Sequence, residues 1–124
     1  MSAPESPAHT SSLDALRDAL RRFAAERDWD QFHSPKNLAI ALSVEASELL
    51  EHFQWITESE SKLLPPEKLE KVRDEMADVL IYLVRLSDKL AVDLLKVAFE
   101  KIDKNARKYP ADRVRGSSKK YTDS

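Results

Sequence analysis

Apolar residues recur at helical spacing along most of the chain, broken by short polar or proline-marked stretches. Leu13, Leu16, Leu20 and Phe23 fall every three or four positions, with Arg17, Arg21, Arg22 and Glu26 between them. That pattern predicts an amphipathic helix ending near Glu26. Ser11 or Ser12 can cap its start, and Asp14 sits in its first turn, where a carboxylate suits the helix dipole. A second helix is predicted from Pro35, capped by Ser34, to about Trp55. Leu38, Leu42, Leu49 and Phe53 line one face of it, and Ile40 and Val44 the opposite face, so it is expected to be covered on two sides, by the core and by a subunit contact. Pro65-Pro66 opens a third helix reaching about Leu90, with a main stripe of Leu69, Val72, Met76, Val79, Leu80, Leu83, Leu86 and Leu90. Asp93 caps a fourth, with Leu95, Phe99 and Ile102 inward and Pro110 at its end. Residues 27–34 and 57–64 read as loops, and no strand is predicted. The expectation is an all-α fold, a four-helix bundle over residues 12–110. A flexible tail, 1–11, precedes it, and a basic tail, 111–124, follows with Arg113, Arg115, Lys119 and Lys120.

Composition narrows the chemistry. The 124 residues amount to one ordinary domain, and 42% of them are hydrophobic, enough for a core. One glycine argues against tight hairpins, a glycine-rich phosphate loop and a dinucleotide fingerprint. The absence of cysteine removes disulfides, thiolate zinc sites and a cysteine nucleophile. No apolar run approaches the ~20 residues needed to span a bilayer, and the first eleven residues lack the apolar core of a signal peptide, so a cytoplasmic protein without a membrane partner is expected. With 20 basic and 22 acidic residues, net charge −2, nucleic acid is not the expected partner.

Two carboxylate pairs stand out. Glu45 and Glu48 on the second helix, and Glu75 and Asp78 on the third, are each three residues apart and so share a face. Glu45 falls in the middle of the Leu38/Leu42/Leu49/Phe53 stripe and Glu48 at its edge. A carboxylate placed there costs several kcal/mol, about 2–7, unless its charge is compensated. Two such helices face to face would gather four carboxylates, and a divalent cation is the natural compensation. All-oxygen ligands select Mg²⁺, with Mn²⁺ as a possible substitute. The chain has no E-x-x-H pair, which a di-iron bundle would need. The competing reading is a solvated charged face. Clustered cations activate water and clamp phosphate oxygens, which points to a phosphoanhydride substrate. Lys101, Lys104, Arg107 and Lys108 could meet its outer phosphates, although a helix C-terminus attracts cations without any ligand. Trp29, Phe32, His33 and Trp55 form a ring cluster able either to stack a nucleobase or to close a small core. Tyr82, one turn beyond Asp78, is either a core tyrosine or a partner of the carboxylates.

The run from Ala25 through Trp29-Asp30-Gln31-Phe32-His33, then Asn37-Leu38, Glu45-x-x-Glu48, Phe53-Gln54-Trp55 and Glu75-x-x-Asp78-Val79-Leu80-Ile81-Tyr82, resembles the all-α nucleoside triphosphate pyrophosphatases of the MazG-like superfamily. The likeness is strongest to its dCTP-cleaving branch. It continues through Lys101, Asp103, Asn105, Arg107 and Tyr109-Pro110 into the tail. The resemblance implies a MazG-like bundle with Glu45, Glu48, Glu75 and Asp78 as catalytic magnesium ligands. It implies a base and sugar pocket from Trp29, Asp30, Gln31, Phe32, His33, Trp55 and Tyr82, and phosphate contacts from Lys101, Asn105 and Arg107. The implied reaction turns dCTP, or a modified dCTP, into dCMP and pyrophosphate in nucleotide-pool control, carried out by a homodimer or homotetramer. Leu20 stands where some relatives carry a histidine, and Lys104 and Ala106 also depart from other members. The alternatives are a broader dNTP or dUTP pyrophosphatase and a non-catalytic helical interaction protein.

Overall fold

The structure, a computed structural model, describes residues 12–117. The predicted tail 1–11, and Lys119 and Lys120 of the basic tail, lie outside the described residues. All regular elements among the described residues are helical: α1 (Leu13–Glu26), a 3₁₀ turn (Asp30–Phe32), α2 (Pro35–Glu51), α3 (Glu58–Ser61), α4 (Pro66–Lys89), α5 (Leu94–Lys108) and α6 (Ala111–Val114). The chain falls into two compact units that divide between Ala91 and Val92.

The first unit starts where its capping chemistry dictates. Ser12 and Ser34 accept from the backbone N–H of Ala15 and Asn37 at 3.0 and 3.2 Å, opening α1 and α2. Pro35 and Pro66 occupy first-turn positions, where the missing N–H costs nothing. α1 closes in a Schellman motif: Trp29 N–H donates to Ala24 O at 2.9 Å and Asp28 N–H to Ala25 O at 3.1 Å, with Asp28 left-handed at φ 54°. The apolar contact that accompanies such a motif is present too, as the Phe23 and Trp29 rings meet edge to face with centroids 5.7 Å apart.

α4 packs chiefly on α2 and also on α1. Between these helices lie Ala24, Leu38, Val72 and Val84, all buried, with Leu42, Leu49, Phe53, Val79 and Leu86 half-buried around them. Three expectations are corrected. α2 ends at Glu51 rather than near Trp55, because the chain turns at His52–Ile56 through short backbone bonds such as Phe53 N–H to Leu50 O at 2.8 Å. The 57–64 loop contains α3, stabilised by a capping box in which Thr57 and Glu60 exchange side-chain to backbone bonds of 3.1 Å. Only part of the predicted α4 stripe is inward: Leu69, Met76, Leu80, Leu83 and Leu90 are exposed, and Arg85 and Ser87 are buried instead. α4 is apolar on more than one side, and α1 with α2 cover just one of them.

The second unit holds α5 and α6. Asp93 caps α5 by accepting from Lys96 N–H at 3.1 Å, and Tyr109 ends it by donating its N–H to Asn105 O at 2.8 Å.

Candidate active site

α2 and α4 bring three of the four predicted acidic groups together. Carboxylate oxygens of Glu45, Glu48 and Glu75 all lie within 4.8 Å of one another. Glu45 and Glu48 share a face of α2, and Glu75 looks across from α4. Asp78, one turn further along α4, is half-buried, and its charge is felt at both Glu45 and Tyr82. Among the described residues the cluster has no cationic partner, and Glu45 Oε2 and Glu75 Oε2 are buried without a hydrogen bond. Burial pushes the Glu45 carboxyl up to about 7, helped by the carboxyls of Glu75 and Glu48 and the charge of Asp78. Left alone, such a group takes up a proton near neutrality; an all-oxygen donor set with two orphaned oxygens suits a hard divalent cation. Glu45, Glu48 and Glu75, with Asp78 beside them, are the residues that could hold one.

A cleft of about 320 Å³ adjoins this cluster and shares Asp78 with it. Leu20, Phe23 and Ala24 of α1, Trp29 and His33 of the following loop, and Ile81, Tyr82 and Arg85 of α4 complete its walls. Its lining is mostly apolar with a few polar groups, the usual make-up of a site for a small organic ligand. Burial, and then the charges of Glu45 and Asp78, hold the Tyr82 phenol above its ordinary value, so it stays protonated and able to donate.

The loop carrying the rings is built to stay put. Gln31 Nε2 donates to both the carbonyl and the carboxylate of Asp28 at 3.1 Å, and Asn37 Nδ2 donates to Phe32 O at 3.0 Å. Asp30 accepts from Arg85 Nη2 at 2.6 Å and Lys89 Nζ at 2.9 Å, and these cations hold its carboxyl below its ordinary value, Lys89 first.

Of the residues singled out in the sequence, Trp29, His33, Tyr82 and Asp78 share the cleft. Asp30 and Gln31 are engaged in holding the loop, and Phe32 is exposed. Trp55 is 88% exposed in the turn after α2. Lys101, Asn105 and Arg107 are exposed along α5 of the second unit. Sequence reasoning missed Arg85, Leu20 and Phe23 as cleft residues. Leu20 and Phe23 match helical core spacing, and nothing in that spacing separates a core wall from a cleft wall.

Known proteins resemble this chain over most of its length. A profile of the MazG-like family matches residues 40–123. Among curated proteins, dCTP pyrophosphatase 1 of Mus musculus is 45% identical over 114 residues, which cover 90% of this chain and 67% of that protein. The dCTP pyrophosphatase 1 of Homo sapiens is 46% identical with the same coverage. The crystal structure of a pyrophosphatase from Archaeoglobus fulgidus superposes with a TM-score of 0.71 at 42% identity, covering 82% of this chain and 95% of the other.

Proposed function

The chain belongs to the MazG-like family, and from that premise we propose that it is a pyrophosphohydrolase cleaving dCTP between the α- and β-phosphates to dCMP and pyrophosphate. The observation that carries this reading is the trio of converging carboxylates with two buried, unpartnered oxygens beside a ring-walled cleft. Relatives named for dCTP supply the base.

Glu45, Glu48, Glu75 and Asp78 would hold Mg²⁺, with Mn²⁺ as a substitute. When bound, the cation supplies counter-charge to carboxylates and phosphate oxygens and lowers the pKa of water. One carboxylate of the α2 pair, Glu45 or Glu48, takes the proton of the attacking water. Trp29 and Tyr82 enclose base and sugar, and the anchored loop keeps Trp29 in place without a rearrangement on binding. Lys101, Asn105 and Arg107 are proposed phosphate-binding residues on the resemblance alone. The working form is proposed to be a cytoplasmic homodimer or homotetramer, supported by the apolar faces that α2 and α4 leave open: Ile40 and Val44, and Leu69, Met76, Leu80 and Leu83.

A panel of dCTP, dTTP, dUTP, dATP, dGTP and CTP, incubated with Mg²⁺, tests the activity. dCTP is expected to turn over fastest, yielding dCMP and pyrophosphate in equal amounts. Release of dCDP and phosphate, or no turnover of any triphosphate with Mg²⁺ or Mn²⁺, would refute the reading.

A further inference from the structure

The cleft contains a buried cation that phosphate hydrolysis at the carboxylates does not call for. Arg85 is 3% exposed, and a guanidinium so placed needs partners. Its Nη2 donates to Asp30 Oδ1 at 2.6 Å. Its Nε donates to His33 Nδ1 at 3.3 Å, and Nη2 lies 3.1 Å from the same ring nitrogen. Nη1 is 3.8 Å from the Asp88 carboxylate, which Arg21 of α1 grips in turn through two bonds. The guanidinium is therefore fixed from three directions.

Arginine donates and never accepts. The His33 Nδ1 that faces it must present a lone pair, so the proton of the neutral ring sits on Nε2. A doubly protonated ring would set N–H against N–H. Burial, then the charge of Arg85, holds His33 below its ordinary value; Asp30 opposes that and Lys89 adds to it.

We propose that Arg85 is a positioning residue that locks His33 as the neutral imidazole protonated on Nε2, giving the cleft a fixed donor for an acceptor on the edge of the base. The nature of that ligand rests on the dCTP reading, whereas the tautomer does not. Cytosine carries acceptors at both N3 and O2, while uracil and thymine carry a donor at N3. Set against ring N3, a group that can only donate therefore favours cytosine, because two donors facing each other in a buried site cost each its hydrogen bond, whereas O2 accepts in all three bases and does not discriminate.

The tautomer is read by ¹⁵N NMR of the imidazole nitrogens in the full chain without nucleotide, His33 being identified by its loss in His33→Gln. At neutral pH the wild-type ring is expected to show protonated Nε2 and unprotonated Nδ1. In Arg85→Met the signals move toward a mixture of tautomers, and KM for dCTP rises about tenfold with little change in kcat. Arg85→Lys, which retains a donor, recovers part of both. A wild-type His33 protonated on Nδ1 overturns the proposal outright, and that measurement needs no variant to fold. An unchanged tautomer in folded Arg85→Met also overturns it. If the tautomer is as stated but dCTP is not hydrolysed by the wild type, the substrate reading fails and the assignment of Arg85 stands.

Discussion

A carboxylate is tolerated in an apolar stripe only if something neutralises it, and Glu45 is the residue where that requirement is sharpest. Its carboxyl is raised to about 7 by burial and acidic neighbours, so near neutrality the free protein is partly protonated there, and a cation would displace that proton. Glu45→Gln keeps the shape and removes the charge. It is expected to lower turnover of dCTP by about 10²–10⁴-fold, with helical circular dichroism unchanged and the Mg²⁺-dependent rise in melting temperature weakened. Near-normal turnover in this variant would exclude Glu45 from the chemistry. The acidic face was legible from spacing alone, because i and i+3 positions meet on any helix. Arg85 was not. Its partners His33 and Asp30 lie 52 and 55 residues away, and an arginine within an apolar run reads as solvent-exposed until the opposing loop is known.

Among the helices, starts were easier to read than faces. Ser12, Ser34 and Asp93 all act as caps where the sequence places them, since capping depends on residues three apart. The inward face of α4 depends instead on which neighbours exist, and its hydrophobic positions serve more than one. The contact of α1 with α4 also has a polar component, the Arg21–Asp88 pair. The hydrogen bond from Arg21 keeps the Asp88 carboxyl below its ordinary value, so the folded chain binds fewer protons there than the unfolded chain. Stability from this pair is therefore present above the usual carboxylate range and is lost as pH falls through the lowered folded value. Asp88→Asn is expected to melt several degrees below the wild type at neutral pH. The gap should close only as the pH falls through that lowered value, where the wild-type carboxylate is itself protonated. A gap that stayed constant with pH would assign the effect to packing rather than charge.

At the scale of the whole chain, the buried core is small beside the apolar surface left open. Met76 is 57% and Leu80 41% exposed on the longest helix, an arrangement that monomers of this size rarely sustain. Light scattering on the purified protein is expected to give a mass two or four times 14.2 kDa, and Leu80→Glu should shift it toward the single chain. A wild-type monomer at micromolar concentration would contradict that expectation. The sequence predicts a second covered face on α2 because Ile40 and Val44 oppose the core stripe, and in the single chain both are exposed. It did not reveal the division after Ala91, since a boundary between compact units is a matter of contacts rather than of periodicity. Ala91 itself takes a left-handed backbone at φ 55°, a conformation in which its methyl group crowds the following carbonyl. Glycine at that point would let the backbone swivel through a wide range of angles, whereas alanine leaves it a narrow one. The backbone after the longest helix thus holds a conformation that glycine, with no Cβ, would take without that strain.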